Sequence, residues 1–233
     1  MGTSIQLTAA DGFSFPVYVA QPSGSYAGKA RGAIVVVQEI FGVNSHICAV
    51  ADGYAEQGYL ALALATFERA KRGVDLGYTQ EGMGEGFALK GAIEALPAPG
   101  LMQDIQATVD HAAQASGGKV GIVGYCWGGL ITWRSAALVN GLAAAVPYYG
   151  GGMTLGDEPA RQPQCPVLCH FSDRDHYIPM ESIQSFQAAH PAVPVHMYAA
   201  DHGFNCDQRA AGHAPSAALA RERTLAFFAQ HVG

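Results

Sequence analysis

The run Ala33-Ile34-Val35-Val36-Val37 carries no polar side chain on either of its alternating faces. A strand with one face in water alternates apolar with polar residues. This run therefore predicts a strand buried on both faces, as in a parallel sheet covered by helices on each side. Comparable apolar segments recur at 59–65, 119–123, 143–149, 166–171 and 193–198. Helical patterns separate them, at 45–57, about 85–114, 127–139, after Pro179 and at 216–231. Within the second of these, Ile105, Thr108, Val109 and Ala112 recur at helical spacing, with Asp104 and Asp110 expected to turn outward. Ahead of the alternation, segments 4–8 and 13–20 flank the turn dipeptide Asp11-Gly12 and predict a hairpin at the sheet edge, a placement Pro16 favours. The pattern as a whole predicts a doubly wound, mostly parallel α/β sheet with its active residues at the C-terminal ends of the strands.

A chain of 233 residues, 49% of them hydrophobic, can bury a substantial core, and one domain over 1–233 is expected. The formal charge of -6 leaves no broad basic face for nucleic acid or anionic lipid, so the expected partner is a small molecule. No segment reads as a secretory signal or a bilayer span, which predicts a cytoplasmic protein; monomer and homodimer both fit. The glycine-rich segment 73–86 shows little periodicity and predicts a mobile loop.

The densest chemical signal is Gly121-Ile122-Val123-Gly124-Tyr125-Cys126-Trp127-Gly128-Gly129, lying between a predicted strand and a predicted helix. A sharp turn there forces its central residue into a strained backbone conformation, and small residues are needed two before and two after it. Gly124 and Gly128 meet that need around Cys126. The same glycines also fit a phosphate-binding turn holding an inert cysteine, so the partners decide. A cysteine nucleophile requires a base and a group to orient the base. Asp175 follows the 166–171 strand and His202 follows the 193–198 strand, giving the order nucleophile, acid, histidine of the α/β-hydrolase fold. Asp173 is the rival acid; its place in the turn suits a surface role better. The loop after Val37, Gln38-Glu39-Ile40-Phe41-Gly42, is where one oxyanion amide is expected, which makes the backbone N–H groups of Ile40 and Trp127 the predicted pair. Glu39 reads there either as a functional carboxylate or as a solvated loop residue.

No metal site is expected. Cys165 and Cys169 on one strand would lie roughly 13 Å apart, too far for one ion or one disulfide. They and Cys48 read as packing residues.

Taken together, Gln38-Glu39-Ile40-Phe41-Gly42-Val43-Asn44, Gly124-Tyr125-Cys126-Trp127-Gly128-Gly129, Tyr148-Tyr149-Gly150, Asp175-His176-Tyr177-Ile178-Pro179 and His202-Gly203-Phe204 resemble the dienelactone hydrolase family over nearly the whole chain. The resemblance implies an α/β-hydrolase fold, a Cys126–His202–Asp175 triad, no cofactor, and hydrolysis of lactones or carboxylic esters. It also implies that Glu39 lies close to the thiol, in a switch that turns the thiol into a thiolate when substrate enters. Tyr125, Tyr148 and Tyr149 are expected at the pocket wall.

The family archetype holds a substrate carboxylate with two arginines. Here the corresponding positions fall in 78–86, which has none, and at Cys206. Arg69, Lys71, Arg72 and Arg209 are the cations on neighbouring loops that could take their place. A different class of function, capture or sensing of an electrophile without efficient turnover, also fits a reactive Cys126. Thiol redox chemistry fits poorly, for no Cys-x-x-Cys pair is present.

Overall fold

The computed structural model describes residues 2–233. Eight strands form one sheet in the order β1-β2-β4-β3-β5-β6-β7-β8: β1 Thr3–Thr8, β2 Ser14–Ala20, β3 Ala33–Val37, β4 Leu60–Leu64, β5 Val120–Tyr125, β6 Leu142–Tyr148, β7 Cys169–Ser172 and β8 Val195–Tyr198. β1 and β2 pair antiparallel, as do β2 and β4, and every pairing from β4 onward is parallel. The hairpin does sit at the sheet edge. β1 is its outermost strand, however, and Pro16 lies in β2, just ahead of the β2–β4 register that starts at Val17 and Leu64. The Pro16 carbonyl accepts from the Ala65 N–H at 3.2 Å, and with no N–H to return that bond the pairing with β4 ends there.

Six helices cover the sheet: α1 Ser45–Glu56, α2 Gln80–Glu94, α3 Met102–Ser116, α4 Trp127–Leu138, α5 Met180–Ala189 and α6 Ala214–His231. The glycines of β5 show why that strand reads apolar throughout. A Cβ at Gly121 would meet the Phe228 ring of α6, whereas one at Gly124 would run into the Gly128 carbonyl and Thr132 of α4. These residues are an odd number apart on a strand, so helices press on both of its faces.

Three expectations are corrected. The helical region at about 85–114 is two helices, because Pro97 and Pro99 cannot continue a helix and end α2 before α3 begins. The segment 73–86 is not a loop throughout, since α2 starts at Gln80 with Thr79 as its N-cap, its side chain accepting from the Gly82 N–H at 3.0 Å. Gly82 and Gly86 lower helix propensity there, but a Cβ would collide with the Gly77 carbonyl at the first and with the Ile40 carbonyl at the second. Close packing, not flexibility, demands those glycines.

Asp104 turns inward. It is buried and accepts two hydrogen bonds from Arg69, at 2.8 and 2.6 Å. A buried carboxylate is tolerable only when so paired. Asp110 is exposed as expected. Strand β7 is shorter than the 166–171 run; Cys169 opens it and is buried, while Cys165 lies outside it and packs partly buried against the core. Among the described residues no helix is long and apolar enough to cross a membrane.

Candidate active site

Cys126 stands between β5 and α4 with φ 56 and ψ -121. A left-handed conformation at a non-glycine residue is strained, and it persists only where surrounding packing enforces it. The enforcement is visible. The Cys126 N–H donates to the Tyr148 carbonyl at 3.1 Å and the Gly129 N–H to the Cys126 carbonyl at 2.9 Å. A Cβ at Gly128 would strike the Gln38 and Val37 carbonyls, and one at Gly129 would come within 2.6 Å of the Tyr148 carbonyl. The turn is thus clamped between the ends of β3 and β6.

His202 follows β8 and Asp175 follows β7, and the two meet: His202 Nδ1 lies 2.7 Å from Asp175 Oδ2. Asp175 Oδ1 accepts from the Tyr177 N–H at 2.8 Å, and Ser172 Oγ lies 3.4 Å from Oδ2. With Nδ1 engaged, Nε2 is the ring nitrogen left for Cys126. Asp173 is exposed and takes no part. Burial works against the imidazolium, yet the Cys126 sulfur and the Asp175 carboxylate outweigh it and push His202 up to about 10. The sign follows by linkage. The raised affinity for the proton contributes stability fully below the unfolded value, about 6.5, and that contribution is lost as pH rises through about 10. Cys126→Ala removes the larger of the two favourable influences, so the His202 pKa followed by NMR should fall well below its wild-type value. An unchanged titration would show that the sulfur does not act on the ring.

Cys126, His202, Ile40 and Trp127 line one cavity of about 230 Å³, together with Phe41, Met83, Phe87, Lys90, Tyr177 and Arg209. The predicted oxyanion residues and Cys126 therefore share a wall. Trp127 opens α4, where amides lack intrahelical acceptors. Its indole is buried, stacked on Phe67 at 5.1 Å.

Glu39 is 1% exposed, and its carboxylate accepts from Tyr78 Oη at 3.0 Å and Arg209 Nη1 at 2.9 Å. It is a held group, not a solvated one. Of the four candidate cations, Arg209 reaches the cavity; Arg69 is spent on Asp11 and Asp104, Lys71 on Glu85 and Arg72 on Glu68. Gly203, with φ 86, leaves room for Arg209, because a Cβ would come within 2.5 Å of its Nη1.

The three tyrosines fall elsewhere than expected. Tyr125 directs its hydroxyl to that of Tyr54, at 3.4 Å. Tyr148 directs its own to Thr224 Oγ1, at 2.6 Å, joining a core network with His170. Tyr149 packs its ring 5.1 Å from the His202 ring, and its buried hydroxyl has no hydrogen-bond partner among the described residues. None of the three lines the cavity. The wall is built instead by α2, through Met83, Phe87 and Lys90. Their spacing of four and then three residues was the available sequence signal, masked by the glycines between them.

The chain is similar to known proteins along nearly its whole length. The family model described as "Dienelactone hydrolase family" matches residues 15–232. A carboxymethylenebutenolidase from Pseudomonas putida is 34% identical, with 98% of this chain and 95% of that protein covered. A crystal structure from Klebsiella pneumoniae, provisionally named a dienelactone hydrolase, superposes with a TM-score of 0.82 at 29% identity, covering 99% of this chain and 100% of the other. A dienelactone hydrolase-like promiscuous phosphotriesterase from metagenomic libraries shares the fold at 20% identity and a TM-score of 0.76, covering 100% of this chain and 99% of that one.

Proposed function

The chain is a hydrolase of the dienelactone hydrolase family, and from that premise we propose that it cleaves carboxylic esters or lactones with Cys126 as nucleophile, His202 as general base and acid, and Asp175 as the group that orients His202. The supporting observation is the convergence, in one cavity, of a strained Cys126 and a His202 whose Nδ1 is tied to Asp175 at 2.7 Å.

The thiol proton passes to His202 Nε2, giving a thiolate–imidazolium pair, and the sulfur then attacks the carbonyl carbon. The amides of Ile40 and Trp127 receive the negative charge that develops on the carbonyl oxygen. The C–O bond breaks, and the leaving oxygen takes the proton from His202. A water molecule then loses a proton to His202, attacks the thioester and releases the acid, and sulfur is regenerated.

Trapping tests this. During turnover of an ester and lactone panel, intact mass should show one acyl group on wild-type protein, released on a timescale that matches kcat. Hydrolysis with no adduct on Cys126, and none in a rapid quench, would favour direct attack by water and end the covalent reading. An adduct that forms and never clears would favour the electrophile-capture alternative.

Glu39 is proposed to govern the charge state of the thiol. Held by Arg209 and Tyr78, its carboxylate is part of a balanced group whose rearrangement changes the field at the sulfur. Glu39→Gln is expected to shift the thiol titration of Cys126 and lower turnover about tenfold or more, on the scale of removing one close charge. Unchanged titration and turnover would remove Glu39 from the mechanism.

The cavity also ranks substrates. Its two cations are both engaged, Arg209 with Glu39 and Lys90 with Glu94 at 2.8 Å, while most of the other lining side chains are apolar or aromatic. Neutral aliphatic or aryl esters and lactones should therefore show higher kcat/KM than analogues bearing a free carboxylate. The reverse order would mean that a substrate carboxylate displaces Glu39 or Glu94.

A further inference from the structure

Beside the cavity, three ligand-type side chains from distant parts of the chain come together: Glu39 after β3, His46 in α1 and Cys206 after β8. All three are buried, and one donor atom from each lies within 4.8 Å of the others. His46 is 4% exposed, and its Nε2 is buried with no hydrogen-bond partner among the described residues. An orphaned buried imidazole nitrogen carries a desolvation cost that a ligand would remove. The other nitrogen, Nδ1, lies 3.2 Å from Asp207 Oδ1. That contact orients the ring and fixes Nε2 as the free donor, the arrangement that accompanies metal-bound histidines.

We propose that Glu39, His46 and Cys206 form a zinc-binding site, and that zinc there inhibits the hydrolase by drawing Glu39 away from Arg209. One nitrogen, one sulfur and one carboxylate oxygen are the donor types zinc takes, and three protein ligands leave a fourth position for water. Tetrahedral coordination at ordinary bond lengths needs donors about 3.3–3.8 Å apart, so the cluster must contract by about 1 Å. Glu39 supplies that movement by releasing the Arg209 and Tyr78 bonds it now accepts. The Cys206 thiol proton leaves to solvent as the Zn–S bond forms, and no electron is transferred. The ion has a way in, since His46, Asn205 and Asp207 line a second surface groove. Arg209 lines the catalytic cavity, so loss of its partner is felt there directly.

The binding half is independent of the proposed reaction; the inhibitory half rests on it. The test titrates chelator-treated protein with Co2+ and reads the near-ultraviolet thiolate-to-cobalt charge-transfer band, with Zn2+ as competitor. Wild type and Cys126→Ala should each bind one equivalent with the band, and Zn2+ should abolish it. Cys206→Ser should lack the band at an unchanged thermal midpoint. His46→Ala should weaken binding about 100-fold or more, since even losing a supporting partner of a ligand costs 10–100-fold. Zinc should inhibit ester hydrolysis by wild type and not by Cys206→Ser. A band lost in Cys126→Ala but kept in Cys206→Ser would place the metal on the catalytic thiol and overturn the site, as would the absence of a band in every folded variant. Binding without selective inhibition would overturn the regulatory half alone. If no substrate is turned over, the cobalt spectra still decide the site.

Discussion

Cys126→Ala is expected to lower kcat by about 10,000-fold or more while leaving the fold intact, a loss comparable to removal of a nucleophile elsewhere in triad hydrolases. Alanine keeps the Cβ and hence the φ of 56 that the turn imposes, so the substitution removes sulfur without repacking the elbow. The acyl adduct should vanish with it. Cys126→Gly gives a second reading of the same site. It is equally inactive but relieves the left-handed strain, and should be about 1 kcal/mol more stable than Cys126→Ala. An inactive alanine variant together with a more stable glycine variant would show that stability is given up at this position for a nucleophile. Activity retained within tenfold in either would remove Cys126 from its role.

Asp175→Asn should be nearly as severe, about 10,000-fold in kcat, for a reason specific to the surroundings of this carboxylate. The Tyr177 N–H donates to Oδ1 at 2.8 Å and would hold the asparagine carbonyl oxygen at that position. The new NH2 group must then point at His202 Nδ1, which lies 2.7 Å from Oδ2 in the native protein. It is a donor where an acceptor stood. The imidazole is driven into the tautomer with its proton on Nε2, and it can no longer take the proton from Cys126. The pH–rate profile separates this from general disruption: loss of the carboxylate lowers the His202 pKa, moving its limb to lower pH, whereas a merely loosened loop lowers the rate without moving the limb. A variant within tenfold of wild type would mean that Asp175 does not set the tautomer.

What the sequence made legible follows how local each determinant is. The Cys126 turn was readable because its requirement for Gly124 and Gly128 lies within four residues, and the collisions at those glycines show that the requirement is real. Placement of Asp175 and His202 needed only strand order, which the apolar runs supplied. Where side chains point from buried strands was not legible. Tyr125, Tyr148 and Tyr149 are consecutive with motifs at the site, yet two of the three turn to Tyr54 and Thr224 in the core. Asp104 misled for a similar reason, since its burial depends on Arg69, thirty-five residues earlier. Arg209 stood among several cations until its contact with Glu39, 170 residues away in sequence, distinguished it. Glu39, His46 and Cys206 form no sequence pattern at all, because three separate elements bring them together.

Helix α2 has a consequence for how such an enzyme can change its substrate. At Gly86 the helix backbone rests against the carbonyl of Ile40, with no room for a side chain between them. One turn to either side, Met83 and Lys90 face the cavity with Phe87. The helix therefore works as a printed label on a fixed mount. Its cavity-facing letters can be rewritten, in a mutant library or over generations, to admit a different acyl group, while Cys126, Asp175 and His202, which follow β5, β7 and β8, stay untouched. Gly86 is closed to such rewriting: a side chain there would push on the loop whose amide is proposed to hold the oxyanion, and the cost would fall on every substrate alike.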